Sequence, residues 1–175
     1  MKNRMYTYSN WRIRGAAPIV TMQELVTSVY NTQYLVCTSG GYDPIHPGHI
    51  SCMIDAKRFN PILAVIVNGD SFLRNKKGKP FQDLKTRCQI VSTIKGVDFV
   101  VPFEIEGDST VNVALDYIQP GVFAKGGDRV DPDTIPEWDT CKSNKIRVVT
   151  GVGHPKYWSS SNFLKDWADF KSRRR

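Results

Sequence analysis

The chain reads as an α/β protein, a mainly parallel five-stranded sheet flanked by helices and built as one domain. Three observations predict this. Short apolar, β-branched runs alternate with segments of helical periodicity between about residues 21 and 167, the pattern of strands joined by helical crossovers. The clearest run, residues 62–67, has no polar position, as expected of a strand covered on both faces. The first strand also gives way to a turn rich in glycine, proline and histidine where a helix must begin.

The elements follow in order. Thr21-Met22-Gln23-Glu24 has the form of a capping box and opens a helix to about Tyr30. Residues 34–38 form a buried first strand, and a helix over about residues 48–59 turns Met53 and Ala56 inward. Residues 62–67 are the second strand. Asp83 caps a helix holding Cys88, Ile90, Val91 and Ile94. Residues 99–101 form the third strand, and Ser109 or Thr110 opens a helix ending near Ile118. Residues 121–124 and 146–149 are the last two strands. A final helix starts near Ser159 and carries Phe163, Leu164 and Trp167. Around this body, residues 21–170, the sequence predicts a basic and aromatic N-terminal extension, residues 1–20, and a basic tail, residues 171–175.

Charge narrows the function classes. The net charge is +7, with 24 Lys and Arg against 17 Asp and Glu. Eight of the basic residues lie in residues 1–14 and 171–175, where there is no acidic residue, so the body is close to neutral. It is not patterned as a general nucleic-acid surface. No apolar run approaches the roughly 18 residues of a membrane span, and the N-terminus lacks the apolar stretch of a secretory signal. The four cysteines form no Cys-x-x-Cys pair and no zinc spacing with the three histidines. A reduced, cytoplasmic setting is the expectation. The sequence is also compatible with a homo-oligomer.

The chemistry concentrates in Gly41-Tyr42-Asp43-Pro44-Ile45-His46-Pro47-Gly48-His49. Glycines let backbone approach phosphate, and a helix N-terminus offers free N–H groups and partial positive charge. His46 falls in the loop and His49 in the first helical turn. Both rings donate to phosphate oxygens in this reading, and a protonated ring offsets charge on the bridging oxygen. Ser159, Ser160 and Ser161 open the last helix, where hydroxyls and N–H groups suit terminal phosphates. A cap needs only one serine. Lys77 is read as part of a lysine-rich loop, Lys76-Lys77-Gly78-Lys79, that folds over a triphosphate. In open parallel sheets, ligands bind beyond the carboxyl ends of the strands, and each of these segments falls at such an end.

These motifs resemble the signature of the cytidylyltransferase-like nucleotidyltransferase superfamily. Asn68-Gly69-Asp70, Lys77-Gly78, Arg87, Lys125-Gly126-Gly127-Asp128 and Ser159-Ser160-Ser161-Asn162 follow in the family's order. Within it, the chain is most similar to the adenylyltransferase domain of bifunctional ADP-heptose synthases. The resemblance implies a Rossmann-like domain that transfers AMP from ATP to a sugar 1-phosphate and releases pyrophosphate, with magnesium (Mg2+) bridging the phosphates. It implies catalytic roles for His46, His49, Lys77 and Arg87, the arginine gripping phosphate bidentately. It implies nucleotide contacts from Thr38, Ser39, Gly40, Gly41, Tyr42, Gly48, Gly127, Asp128 and the three serines. Asn68, Asp70 and Lys125 would contact the acceptor. Asp43 would bind acceptor or magnesium, or hold the loop by an Asx-type bond. The metal ligands stay unassigned.

Thr38-Ser39-Gly40 stands where relatives have Thr-Asn-Gly, and His154 falls where cytidylyltransferases place an arginine. One alternative is therefore a CTP-dependent cytidylyltransferase acting on a polyol or amino-alcohol phosphate. Another is a non-catalytic nucleotide-binding module, against which both histidines, the lysine run and the serine cluster speak. A class I aminoacyl-tRNA synthetase is excluded, because the Lys-Met-Ser-Lys-Ser loop is missing.

Overall fold

Strand β1 (Leu35–Gly40) sits at the centre of an all-parallel sheet, with β2 (Ile62–Asn68) on one side and β4 (Val122–Gly126) on the other. Strand β3 (Phe99–Phe103) lies outside β2, and β5 (Arg147–Val152) outside β4. The order β3-β2-β1-β4-β5 is that of a Rossmann-like sheet, and the chain reverses its direction of travel beside β1. The computed structural model describes residues 6–105, 109–127, 134–155 and 157–174. The predicted contact residue Asp128 lies outside the described residues.

Alternate side chains of the central strands enter two apolar layers, which is why residues 62–67 of β2 carry no polar position. Leu63, Val65 and Val67 of β2 pack with Met53 and Ala56 of helix α2 (Pro47–Ala56) and Cys88 and Val91 of helix α4 (Leu84–Ser92). Ala64 and Ile66 face the other way. They join Leu25 of helix α1 (Met22–Ser28), Leu115 and Ile118 of α5 (Asn112–Ile118) and Cys141 of α6 (Trp138–Ser143). All four cysteines are free and buried. Burial pushes the Cys37, Cys88 and Cys141 thiols up to about 12, so they behave as small apolar groups. Among the described residues, no helix is long and apolar enough to cross a membrane.

Helix starts follow local chemistry. The Thr21 side chain accepts from the Glu24 N–H while Glu24 accepts from the Thr21 N–H, a complete capping box. Asp83 accepts from the Thr86 N–H to start α4. Two helices are not predicted from the sequence. Helix α3 (Asp70–Lys77) is polar with only Leu73 buried, and the six-residue α6 buries only Cys141. One inward residue leaves no periodicity to read. Lys77 thus closes a helix rather than sitting in a loop.

Residues 6–20 are not an appendage. Ile19 and Val20 are core residues. The Val20 N–H donates to Val100 O at 2.9 Å and the Val100 N–H to Pro18 O at 3.0 Å, adding a parallel rung at the edge of the sheet. Tyr8 and Trp11 pack on the core, and Gln89 Nε2 donates to Trp11 O at 2.9 Å. The physical reason is that an edge strand has unpaired backbone groups and apolar flank to cover. At the other end, helix α7 (Ser160–Ser172) continues past residue 170, so Lys171 belongs to the helix rather than to a tail.

Candidate active site

A cleft of about 470 Å3 opens at the carboxyl ends of β1 and β4, where the strand order reverses. Residues 38–43, His46, Gly48, His49, Asn68, Lys77, Lys125, Gly127 and residues 159–161 all line it. The fold therefore gathers most of the predicted site from five separate stretches of chain.

His46 is the N-cap of α2, and its Nδ1 accepts from the His49 N–H at 3.4 Å. Pro47 follows at the first helical position, where a missing N–H costs nothing. With Nδ1 accepting, a neutral His46 carries its proton on Nε2. The two imidazoles stack with centroids 3.6 Å apart and planes 15° apart, and Tyr42 meets His49 edge-on at 5.1 Å. Gly48 leaves room for this packing, since a Cβ there would lie a tight 3.2 Å from the His46 ring.

Electrostatics set the state of the two rings in the absence of a ligand. Burial holds His46 below its ordinary value. Burial, then His46 and the ammonium groups of Lys77 and Lys76, push His49 down to about 3. Without a ligand, both rings therefore favour the neutral form at physiological pH and present themselves as hydrogen-bonding groups. His49 Nδ1 is buried with no hydrogen-bond partner.

Arg87 corrects one expectation. It is fully buried and absent from the cleft wall. Its Nε donates to Gln82 O at 3.0 Å, its Nη1 to Gly41 O at 2.8 Å and Asn68 O at 2.6 Å, and its Nη2 to Asp70 Oδ1 at 2.6 Å. The guanidinium thus joins the ends of β1 and β2 and has little left for a phosphate. Asp70 is its counter-ion and does not line the cleft.

Asp43 holds the loop. Its carboxylate accepts from the Phe81 and Gln82 N–H groups at 2.8 Å each. Lys77 Nζ bonds Asp43 O and lies 3.4 Å from Oδ2. Across the cleft, Ser159 caps α7 by accepting from the Asn162 N–H, and Ser160 Oγ donates to Pro44 O at 2.8 Å. That second bond ties the serine cluster to the histidine loop.

Asp43 and Asp70 are both engaged by protein donors. No group of three or more His, Cys, Asp or Glu side chains among the described residues could hold a metal. The described side chains alone do not form a closed site for a resident magnesium ion. An ion arriving with a nucleotide would take its ligands mainly from phosphates and water.

Sequence reasoning missed several cleft residues, Trp158 and Glu137 among them. Trp158 precedes the serine cluster and its aromatic type was the available signal. Glu137, 4% exposed, pairs with Lys125 at 3.2 Å. Nothing in the sequence marks it.

A parallel sheet of this order, with His-Pro-Gly-His at its switch point, defines an α/β phosphate-binding protein. The model of the family described as cytidylyltransferase-like matches residues 37–164. The chain is 33% identical over 126 residues to Bifunctional protein HldE of Edwardsiella ictaluri, covering 66% of this chain and 26% of that protein. It is 33% identical over 147 residues to Bifunctional protein HldE of Methylococcus capsulatus, covering 81% and 30%. It thus spans about a quarter to a third of the length of these curated relatives. Among solved structures, it resembles the lipopolysaccharide core biosynthesis protein from Thermoplasma volcanium, with a TM-score of 0.58 and 24% identity over 69% of this chain and 97% of that one. It also resembles pantoate-beta-alanine ligase from Francisella tularensis, with a TM-score of 0.59 and 17% identity over 85% and 73%. At those identities the likeness is one of fold. The chain belongs to the cytidylyltransferase-like family of nucleotidyltransferases.

Proposed function

We propose that the protein transfers AMP from ATP to a sugar 1-phosphate of heptose type and releases pyrophosphate. The observation that carries this reading is the convergence of two helix N-termini on one cleft, α2 with its stacked His46–His49 pair and α7 with Ser159, Ser160 and Ser161. Two such termini suit the successive phosphates of a triphosphate. The similarity to the HldE proteins supports the choice of acceptor and of ATP.

In the reaction, an oxygen of the acceptor phosphate bonds to the α-phosphorus, and the bond from that phosphorus to the bridging oxygen breaks. Pyrophosphate leaves with the electron pair. The acceptor is already anionic at neutral pH, so no general base is needed. Catalysis is positioning and charge stabilisation. His46 contributes an Nε2–H donor in this scheme, and the helix termini contribute backbone N–H groups. Magnesium enters as part of the nucleotide substrate.

A pyrophosphate-release screen of the four nucleoside triphosphates against sugar and polyol phosphates tests the proposal. ATP with a sugar 1-phosphate is the expected active pair. Release only with CTP and a polyol or amino-alcohol phosphate would favour the cytidylyltransferase reading, which the family description supports. Triphosphate binding with no release from any pair would favour a non-catalytic module.

A further inference from the structure

At the end of β4, Lys125 and Glu137 line the cleft as an ion pair, Nζ to Oε2 at 3.2 Å, with side chains only 11% and 5% exposed. Glu137 stands at the start of α6, but its carboxylate does not cap that helix. Its other oxygen makes no hydrogen bond to the described residues, nor is it among the buried atoms closed off from a partner. Lys125 Nζ also sits 4.9 Å from the centre of the Phe123 ring, which helps to fix its position.

A carboxylate accepts only, and it repels phosphate. Its presence in a cleft otherwise suited to anions needs a ligand group that donates. The pair as a whole is neutral, so it adds little attraction for an acceptor phosphate, the role the sequence suggests for Lys125. An ammonium that donates beside a carboxylate that accepts is matched by neighbouring hydroxyls, each of which does both. The separation of Nζ and Oε2 is close to that of the two oxygens of a vicinal diol.

We infer that Glu137, with Lys125, is a specificity-determining residue that reads the vicinal hydroxyls of a sugar bound in the cleft. This rests on the nucleotidyltransferase reading and deepens it. Two sugars carry that chemistry, the ribose of the nucleotide and the sugar of the acceptor.

Glu137→Gln in the full chain separates them. Calorimetry would compare ATP, 2′,3′-dideoxy-ATP and inorganic tripolyphosphate, and steady-state assays would compare the sugar phosphate acceptor with its deoxy analogue. If the ribose is read, the substitution weakens ATP about tenfold, as for a bond to a charged group, and leaves dideoxy-ATP and tripolyphosphate unchanged. If the acceptor is read, nucleotide affinities hold and the acceptor KM rises about tenfold, with the deoxy analogue unaffected. No change in any of these overturns the inference, as does equal weakening of ATP and dideoxy-ATP. Should Glu137→Gln fail to fold, the double variant Lys125→Met with Glu137→Met replaces the pair by apolar side chains of similar length and is read in the same way. Failure of ATP, dideoxy-ATP and tripolyphosphate alike to bind the unaltered protein would sink the nucleotidyltransferase proposal and this inference together. Binding of tripolyphosphate without discrimination against either deoxy compound would sink this inference alone.

Discussion

His46 and His49 stack at 3.6 Å across the first turn of α2, and the backbone of one is bonded to the ring of the other. Two imidazoles this close disfavour a positive charge on either. The pair is therefore suited to meet phosphates as fixed hydrogen-bonding groups.

Replacing either ring by alanine should lower turnover by about two to four orders of magnitude, the loss expected for preorganised stabilisation of developing charge. Pyrophosphate release by purified variants, checked for folding by circular dichroism, measures it. Turnover within about threefold of the unaltered protein in both variants would remove the rings from catalysis.

Acid should reveal the same pair in the absence of ligand. In the unfolded chain His49 titrates at its ordinary 6.5, but in the fold it is held at about 3. The unfolded chain therefore binds the extra proton in this window. Stability is fully present above about pH 6.5 and falls as pH drops toward 3. His46 adds in the same direction. The depressed carboxyls of Glu24, Asp83 and Glu104 act only below their ordinary values of 4.5, 3.8 and 4.5. Urea unfolding at about pH 7.5 and about pH 5.5 should show a smaller loss for His49→Gln than for the unaltered protein. Equal losses would place the acid sensitivity elsewhere.

Arg87→Ala should destabilise the fold by about 3–5 kcal/mol, because it strands the Asp70 carboxylate and three carbonyl oxygens that the guanidinium serves. Triphosphate affinity per folded molecule should change little. A folded Arg87→Ala that binds triphosphate a hundredfold more weakly would return the arginine to the phosphate site.

ATP should bind more tightly than CTP, given Lys125-Gly126-Gly127-Asp128 and a histidine, His154, lining the cleft where cytidylyltransferases carry arginine. Calorimetry with each nucleotide and magnesium decides it. Tighter CTP binding would transfer the assignment to the cytidylyltransferase reading.

Deleting residues 1–14 should cost about 2 kcal/mol or more, since it removes Tyr8 and Trp11 from the core and the Thr7 bonds to Glu24. Activity per folded molecule should persist, because no described residue of this segment lines the cleft. Removing residues 173–175 should leave both stability and activity near those of the full chain. A stable but inactive N-terminal deletion would mean that the segment reaches the site.

The sequence by itself determined the five strands, the capping box at Thr21 and the histidine turn, because each is written locally. The burial of β2 shows as an unbroken apolar run, a helix start as a side chain three residues from its N–H, and Met53 and Ala56 as a spacing. Only the tertiary structure decided what depends on distant segments meeting. Arg87 reads as a phosphate-gripping arginine until the fold brings Gly41, 46 residues away, to its Nη1. Residues 18–20 look like an extension until the edge of β3 needs a partner. Glu137 is one carboxylate among many until Lys125 comes within 3.2 Å of it inside the cleft. A buried charge is decided by its partner, and a partner from another part of the chain leaves no local pattern to read.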